Sequence, residues 1–229
     1  GRNWEFGHAV ASAGDVNGDG YADVIVGEPS ADGLFQANPD RGTAYVFHGG
    51  AGGPSSSWTT RLIGYQNGEQ FGYAVASAGD VDGDGYADVI IGAPYHDNGE
   101  TDEGKVYVYH GSASGLLSLI GTQTLPNWTS EGNQAGASYG LSVAPAGDVN
   151  GDGYADVIIG APLYDNGQTD EGRSSVVYGN AAGRTVGSQQ RQGGAVAALV
   201  SAWGYAQSAD SFRVSVNATS PSGRQRVKL

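Results

Sequence analysis

The stretch FGYAVASAGDVDGDGYADVIIGAP, residues 71–94, decides how this chain is read. Two apolar runs, residues 73–78 and 88–92, flank a nine-residue loop of aspartate and glycine. Apolar runs of this length, rich in Val, Ile and Ala and bounded by glycine turns, read as β-strands. The stretch occurs twice more, as FGHAVASAGDVNGDGYADVIVGEP at 6–29 and as YGLSVAPAGDVNGDGYADVIIGAP at 139–162. Asp15, Asp80 and Asp148 mark one register, at spacings of 65 and 68. Internal repetition of this kind defines the architecture before any local reading does.

Each copy continues through a Gly-bearing loop into a third strand-like run: TAYVFHG at 43–49, KVYVYHG at 105–111 and SSVVYG at 174–179. A fourth strand is expected near 124–129 in the second repeat, around the Trp128-Thr129 pair that echoes Trp58-Thr59. Gly27, Gly92 and Gly160 are expected to end the second strands, with Pro two residues later. No helical period is sustained. A single four-stranded sheet is too small to stand alone, and such sheets stack radially as the blades of a β-propeller. The expected fold is all-β: three blades at about 4–65, 66–133 and 134–183, followed by a β-rich tail at 184–229. That tail is expected to complete the third blade, or to cap or bridge subunits.

Composition agrees. Forty of 229 residues are Gly, over twice the usual share of roughly 7%, without a collagen period. No run approaches the roughly 18 apolar residues of a membrane helix. The absence of Cys excludes disulfides, Cys-ligated zinc and thiol catalysis, and the absence of Met suggests a mature or excised piece. Residues 1–183 carry 23 acids against five bases, a balance of −18, whereas 184–229 carry one acid against six bases, a balance of +5. The acidic body should repel nucleic acid and attract cations.

The Asp-rich loops carry the chemistry. Side-chain oxygens fall at loop positions 1, 3, 5 and 9, with a backbone carbonyl available at position 7. These are Asp15, Asn17, Asp19, Tyr21 and Asp23; then Asp80, Asp82, Asp84, Tyr86 and Asp88; then Asp148, Asn150, Asp152, Tyr154 and Asp156. Hard oxygen donors in a short curved loop suit Ca²⁺, which takes about 6–8 oxygens at roughly 2.3–2.6 Å. The three loops hold ten carboxylates, whose crowding without a cation opposes folding. An EF-hand shares the start of this pattern but needs Glu at position 12, where Val26, Ile91 and Ile159 stand here.

With Phe6-Gly7, Phe71-Gly72 and Tyr139-Gly140 before the loops, and Gly27-Glu28-Pro29, Gly92-Ala93-Pro94 and Gly160-Ala161-Pro162 after them, the chain resembles the FG-GAP repeat family. Such repeats build the propeller of integrin α subunits and occur in bacterial surface and secreted proteins. The resemblance implies one structural Ca²⁺ per loop and an extracellular setting. Family propellers are typically seven-bladed, so three repeats imply a piece of a longer propeller, an assembly of chains or an open array. The expected function is a structural or adhesive module, not an enzyme, partnered by itself or by another surface protein. A glycan-binding or glycan-hydrolysing propeller is the alternative. The four His residues show no catalytic spacing, and Tyr45, Tyr107 and Tyr109 fit a core pattern better than a sugar platform.

Overall fold

A computed structural model describes residues 5–32, 39–116 and 124–180, together with the backbone of three strands at 187–191, 217–220 and 223–226. Its elements are all strands. The first sheet holds β1 (Ala9–Gly14), β2 (Asp23–Glu28), β3 (Thr43–Phe47) and β4 (Thr60–Ile63), hydrogen-bonded in sequence order. The second repeats this with β5 (Ala74–Gly79), β6 (Asp88–Ala93), β7 (Lys105–Tyr109) and β8 (Trp128–Glu131). In the third, β9 (Ser142–Gly147), β10 (Asp156–Ala161) and β11 (Arg173–Val177) are followed by β12 (Gly187–Arg191) beside β11. A separate hairpin joins β13 (Asn217–Ser220) to β14 (Gly223–Arg226). All pairings within the sheets are antiparallel.

The strands depart slightly from the sequence expectation. β2, β6 and β10 run one residue beyond the glycines expected to end them. The fourth strand of the second sheet begins at Trp128 instead of near Thr124, because Pro126 has no N–H to give a ladder. Most of the expected β-rich tail at 184–229, and any capping or bridging by it, falls outside the described residues.

The middle sheet is buried on both faces. Alternation along β6 sends Val89 and Ile91 into a cluster with Ile25, Val46 and Leu62 of the first sheet. It sends Ile90 into another with Val157, Ile159 and Val177 of the third. β7 divides likewise, Tyr107 and Tyr109 to one side, Val106 and Val108 to the other. A strand buried on both sides reads as a continuous apolar run, which is why DVIIGA shows no polar face. Each fully buried Val or Ile contributes about 1.5–3 kcal/mol relative to exposure.

The motif glycines explain how closely the sheets approach. A Cβ on Gly27 would lie 2.0 Å from the Gly72 carbonyl oxygen, and one on Gly92 equally close to that of Gly140. The glycine of the second strand in one blade thus meets the aromatic–glycine pair of the next. Gly42 and Gly104 repeat the relation, with Cβ positions 2.1 Å and 2.2 Å from the carbonyl oxygens of Phe71 and Tyr139. Backbone bonds stitch the same seam, Phe71 N donating to Arg41 O and Tyr139 N to Glu103 O, each at 3.1 Å. Under the first seam lies Glu69, fully buried, whose Oε2 accepts from Tyr107 OH at 2.7 Å and pairs with His96 Nδ1 at 2.6 Å.

Gly160 occupies the same motif position in the third blade, but among the described residues a Cβ there meets only the Ser142 side chain within 3.4 Å. Gly92→Ala is therefore expected to cost about 3 kcal/mol in urea unfolding, by forcing two backbones apart. Gly160→Ala should cost well under half of that, and equal costs would contradict this account of the motif.

Candidate metal centre

Each Asp loop begins at a β-bulge that ends the first strand, with Gly14, Gly79 and Gly147 at φ of 79°, 77° and 72°. That left-handed conformation suits glycine, and the bulge re-aims the chain into the loop. The loop then wraps on its own side chains. Asp15 accepts from Asp19 N at 3.1 Å and Gly20 N at 2.9 Å, while Asn17 Oδ1 accepts from Asp19 N at 3.0 Å. Asp19 Oδ1 accepts from Tyr21 N at 2.9 Å. The second loop repeats these bonds through Asp80, Asp82 and Asp84, and the third through Asp148, Asn150 and Asp152.

The ninth residue behaves differently. Asp23, Asp88 and Asp156 are buried, and each carboxylate is held by two backbone N–H groups. One comes from loop position 2: Val16, Val81 and Val149, all donating at 2.8 Å. The other comes from the glycine after the third strand: Gly49, Gly111 and Gly179, at 2.7, 2.9 and 3.0 Å. Sequence reading named these aspartates as ligands but missed the clamp. Its signal was present in the glycine that closes each third-strand run.

In the second loop the carboxylate oxygens of Asp80, Asp82 and Asp88 all lie within 4.8 Å of one another. That is the spread a cation with oxygen bonds of about 2.4 Å imposes, and the donors are all hard oxygens, so the residues fit Ca²⁺. Position 3 of the other two loops is Asn17 or Asn150, which offers a neutral amide oxygen and leaves one carboxylate fewer. His110 Nδ1 lies 2.7 Å from Asp82 Oδ2, and its counterpart His48 Nδ1 lies 3.3 Å from Asn17 Nδ2. Both His residues therefore steady position 3, a role that spacing alone did not disclose.

Electrostatics separates the loop positions. Burial pushes the Asp88 carboxyl up to about 7, against the pull of the Gly111 and Val81 N–H groups and with added repulsion from Asp82 and Asp80. Burial likewise raises Asp156. The exposed carboxyls of Asp19 and Asp148 are held low, the first by its hydrogen bond from Asn17 and the second by the Gly153 N–H. A buried group raised in this way favours its protonated form.

The sign of the pH effect follows. Asp88 binds more proton in the fold than in the unfolded chain between about pH 4 and pH 7. In cation-free protein, stability should therefore fall as pH rises through that window. Saturating Ca²⁺ should abolish the fall, because a bound cation favours the carboxylate. Urea midpoints measured against pH with and without Ca²⁺ check this, and an identical slope in both would contradict it.

The FG-GAP repeat profile matches residues 6–47, 71–109 and 139–177, one match per sheet. Integrin alpha-PS2 of Drosophila melanogaster is 34% identical over 160 residues, covering 68% of this chain and 11% of that protein. Integrin alpha-V of Gallus gallus is 36% identical over 165 residues, covering 68% and 15%. Integrin alpha-7 of Rattus norvegicus is 35% identical over 158 residues, covering 68% and 12%. The chain thus spans between a tenth and a sixth of these relatives' length. Three matched repeats, three four-strand blade patterns and three Asp loops in one register place this chain in the FG-GAP repeat family, among repeats like those of integrin α subunits.

Proposed function

We propose that the chain is a Ca²⁺-braced set of propeller blades serving as an extracellular structural or adhesive module. The observation that carries this reading is the Asp80, Asp82 and Asp88 cluster within a loop built three times over. Each loop would hold one Ca²⁺ through positions 1, 3, 5 and 9 and the position-7 carbonyl. The cation would neutralise carboxylates that crowd the loop and fix the clamp on the ninth residue. Three ions would bring the formal charge from −13 to −7.

Extracellular Ca²⁺ is millimolar, which keeps modest sites filled, and this supports the proposed location. Similarity to integrin α subunits supports adhesion, with a partner that is another surface protein or a further copy of the chain. No helix of the described residues is long and apolar enough to cross a membrane. Against the glycan alternative, two of the three tyrosines weighed, Tyr107 and Tyr109, are buried in the core, while Tyr45 is half-buried. We propose no enzymatic role, since the loop carboxylates are engaged by backbone N–H groups of their own loops and of the glycine that closes the third strand.

Calorimetric titration of cation-free protein should show three Ca²⁺ per chain. At a concentration 100 times its dissociation constant, each site adds about 2.7 kcal/mol of stability. Asp88→Asn should weaken one site at least tenfold, and Asp82→Asn should weaken it less, since the other loops carry Asn there. No binding and no shift in unfolding at millimolar Ca²⁺ would overturn the reading.

A further inference from the structure

The two internal joints are built from one set of parts. The following blade supplies an aromatic–glycine pair and, from its Asp loop, the tyrosine and alanine at positions 7 and 8. The preceding blade supplies glycines that receive them. Tyr86 lies over Gly18 and Tyr154 over Gly83, each ring atom 2.6 Å from where a Cβ would stand. Ala87 packs on Gly14 and Ala155 on Gly79, both at 2.5 Å. The loops also bond across the joint. Ala87 N donates to Asp15 O and Ala155 N to Asp80 O, each at 2.9 Å, while Ser112 N and Asn180 N donate to Val16 O and Val81 O.

The chain carries one more copy of each half, and among the described residues neither is covered. Phe6 sits edge-on to Tyr45 and Phe47 at 5.5 and 6.4 Å, as Phe71 sits against Tyr107 and Tyr109 at 5.2 and 6.4 Å. Yet Phe6 is 57% exposed, whereas Phe71 is 0% and Tyr139 4% exposed. At the other end Val149 is 39% exposed, whereas its counterparts Val16 and Val81 are 0% and 1% exposed. Among the described residues, nothing occupies the space over Gly151, and only the blade's own Pro162 approaches Gly172. Among the same residues no backbone donor reaches Asp148 O or Val149 O, and Ala22 N and Gly50 N, the matching donors on the first blade, are uncommitted.

We propose that these halves meet between two copies of the chain, the first blade of one docking head to tail on the third blade of another. The occupant is a second copy because the chain already carries the half that fits, and the new joint continues two that the fold has made. Phe6-Gly7 would enter the seam at Gly160 and Gly172, Tyr21 would cover Gly151, and Ala22 N would reach Asp148 O. The inference rests on the reading of the blades as Ca²⁺-braced, since the Asp loops form half of the joint. Such a contact is heterologous, so it closes into a ring or extends as a filament. Two copies contribute six blades, within the roughly 4–8 of closed propellers.

Sedimentation of the 229-residue chain in about 2 mM Ca²⁺ tests this. The mass should rise above the 23.3 kDa of one chain with concentration. Phe6→Asp alone and Val149→Arg alone should each give monomers. An equal mixture should give discrete dimers, because each variant retains the half that the other lacks. A wild-type chain that stays monomeric overturns the proposal and leaves the face to residues 181–229 or to a different chain. Assembly that survives in either variant, or a mixture that stays monomeric, also overturns it. Ca²⁺ titration of the same samples separates the two readings: binding without assembly defeats only the head-to-tail joint, and assembly without binding defeats only the Ca²⁺ bracing.

Discussion

The structure depends on a buried carboxylate at the end of each Asp loop. Asp23, Asp88 and Asp156 each tie the second residue of their loop to the glycine that closes the third strand. A carboxylate removed from water is costly unless hydrogen bonds and positive charge compensate for it. The two N–H groups supply the first. In the proposed reading, the loop's oxygen donors would supply the second by holding a divalent cation. The same loop conformation aims its first two carbonyls at the next blade. Loop, blade and joint are therefore one cooperative unit, and the chemistry of the site and the packing of the fold are not separable.

The glycines play the complementary part. At Gly27 and Gly92 the neighbouring backbone comes so near that no side chain fits, and at Gly18 and Gly83 a tyrosine ring fills the space a side chain would need. A motif that looks like turn chemistry in isolation is thus mostly a joint between sheets. This also explains why the middle blade alone has two fully buried faces, while the first and third each keep one face open among the described residues.

The repeat, the strand order and the loop residues were legible from spacing, because all three follow from local pattern. Alternation placed β5 and β6 to within a residue, and in the second loop the carboxylate oxygens at positions 1, 3 and 9 stand within 4.8 Å of one another. What lay opposite each glycine was not legible, since a linear sequence does not say which backbone passes so close to another that a Cβ would not fit between them. The buried Glu69, His96 and Tyr107 cluster was missed for a related reason, since its members lie 11 to 38 residues apart in sequence. The third blade shows how far repetition can mislead: Ala137 and Ser175 stand where Glu69 and Tyr107 stand in the second. A cavity of about 270 Å³ lined by Tyr139 and Ser175 takes the place of that cluster.

The central claim is that a cation in one loop holds the joint to the next blade. Amide hydrogen exchange at Ala87 and Ala155, whose N–H groups donate across the joints to Asp15 and Asp80, reads it directly. Removing Ca²⁺ should speed exchange at both amides at least tenfold, with a smaller change at Val108 in the centre of β7. Exchange at Ala87 and Ala155 that is indifferent to Ca²⁺ would contradict the account.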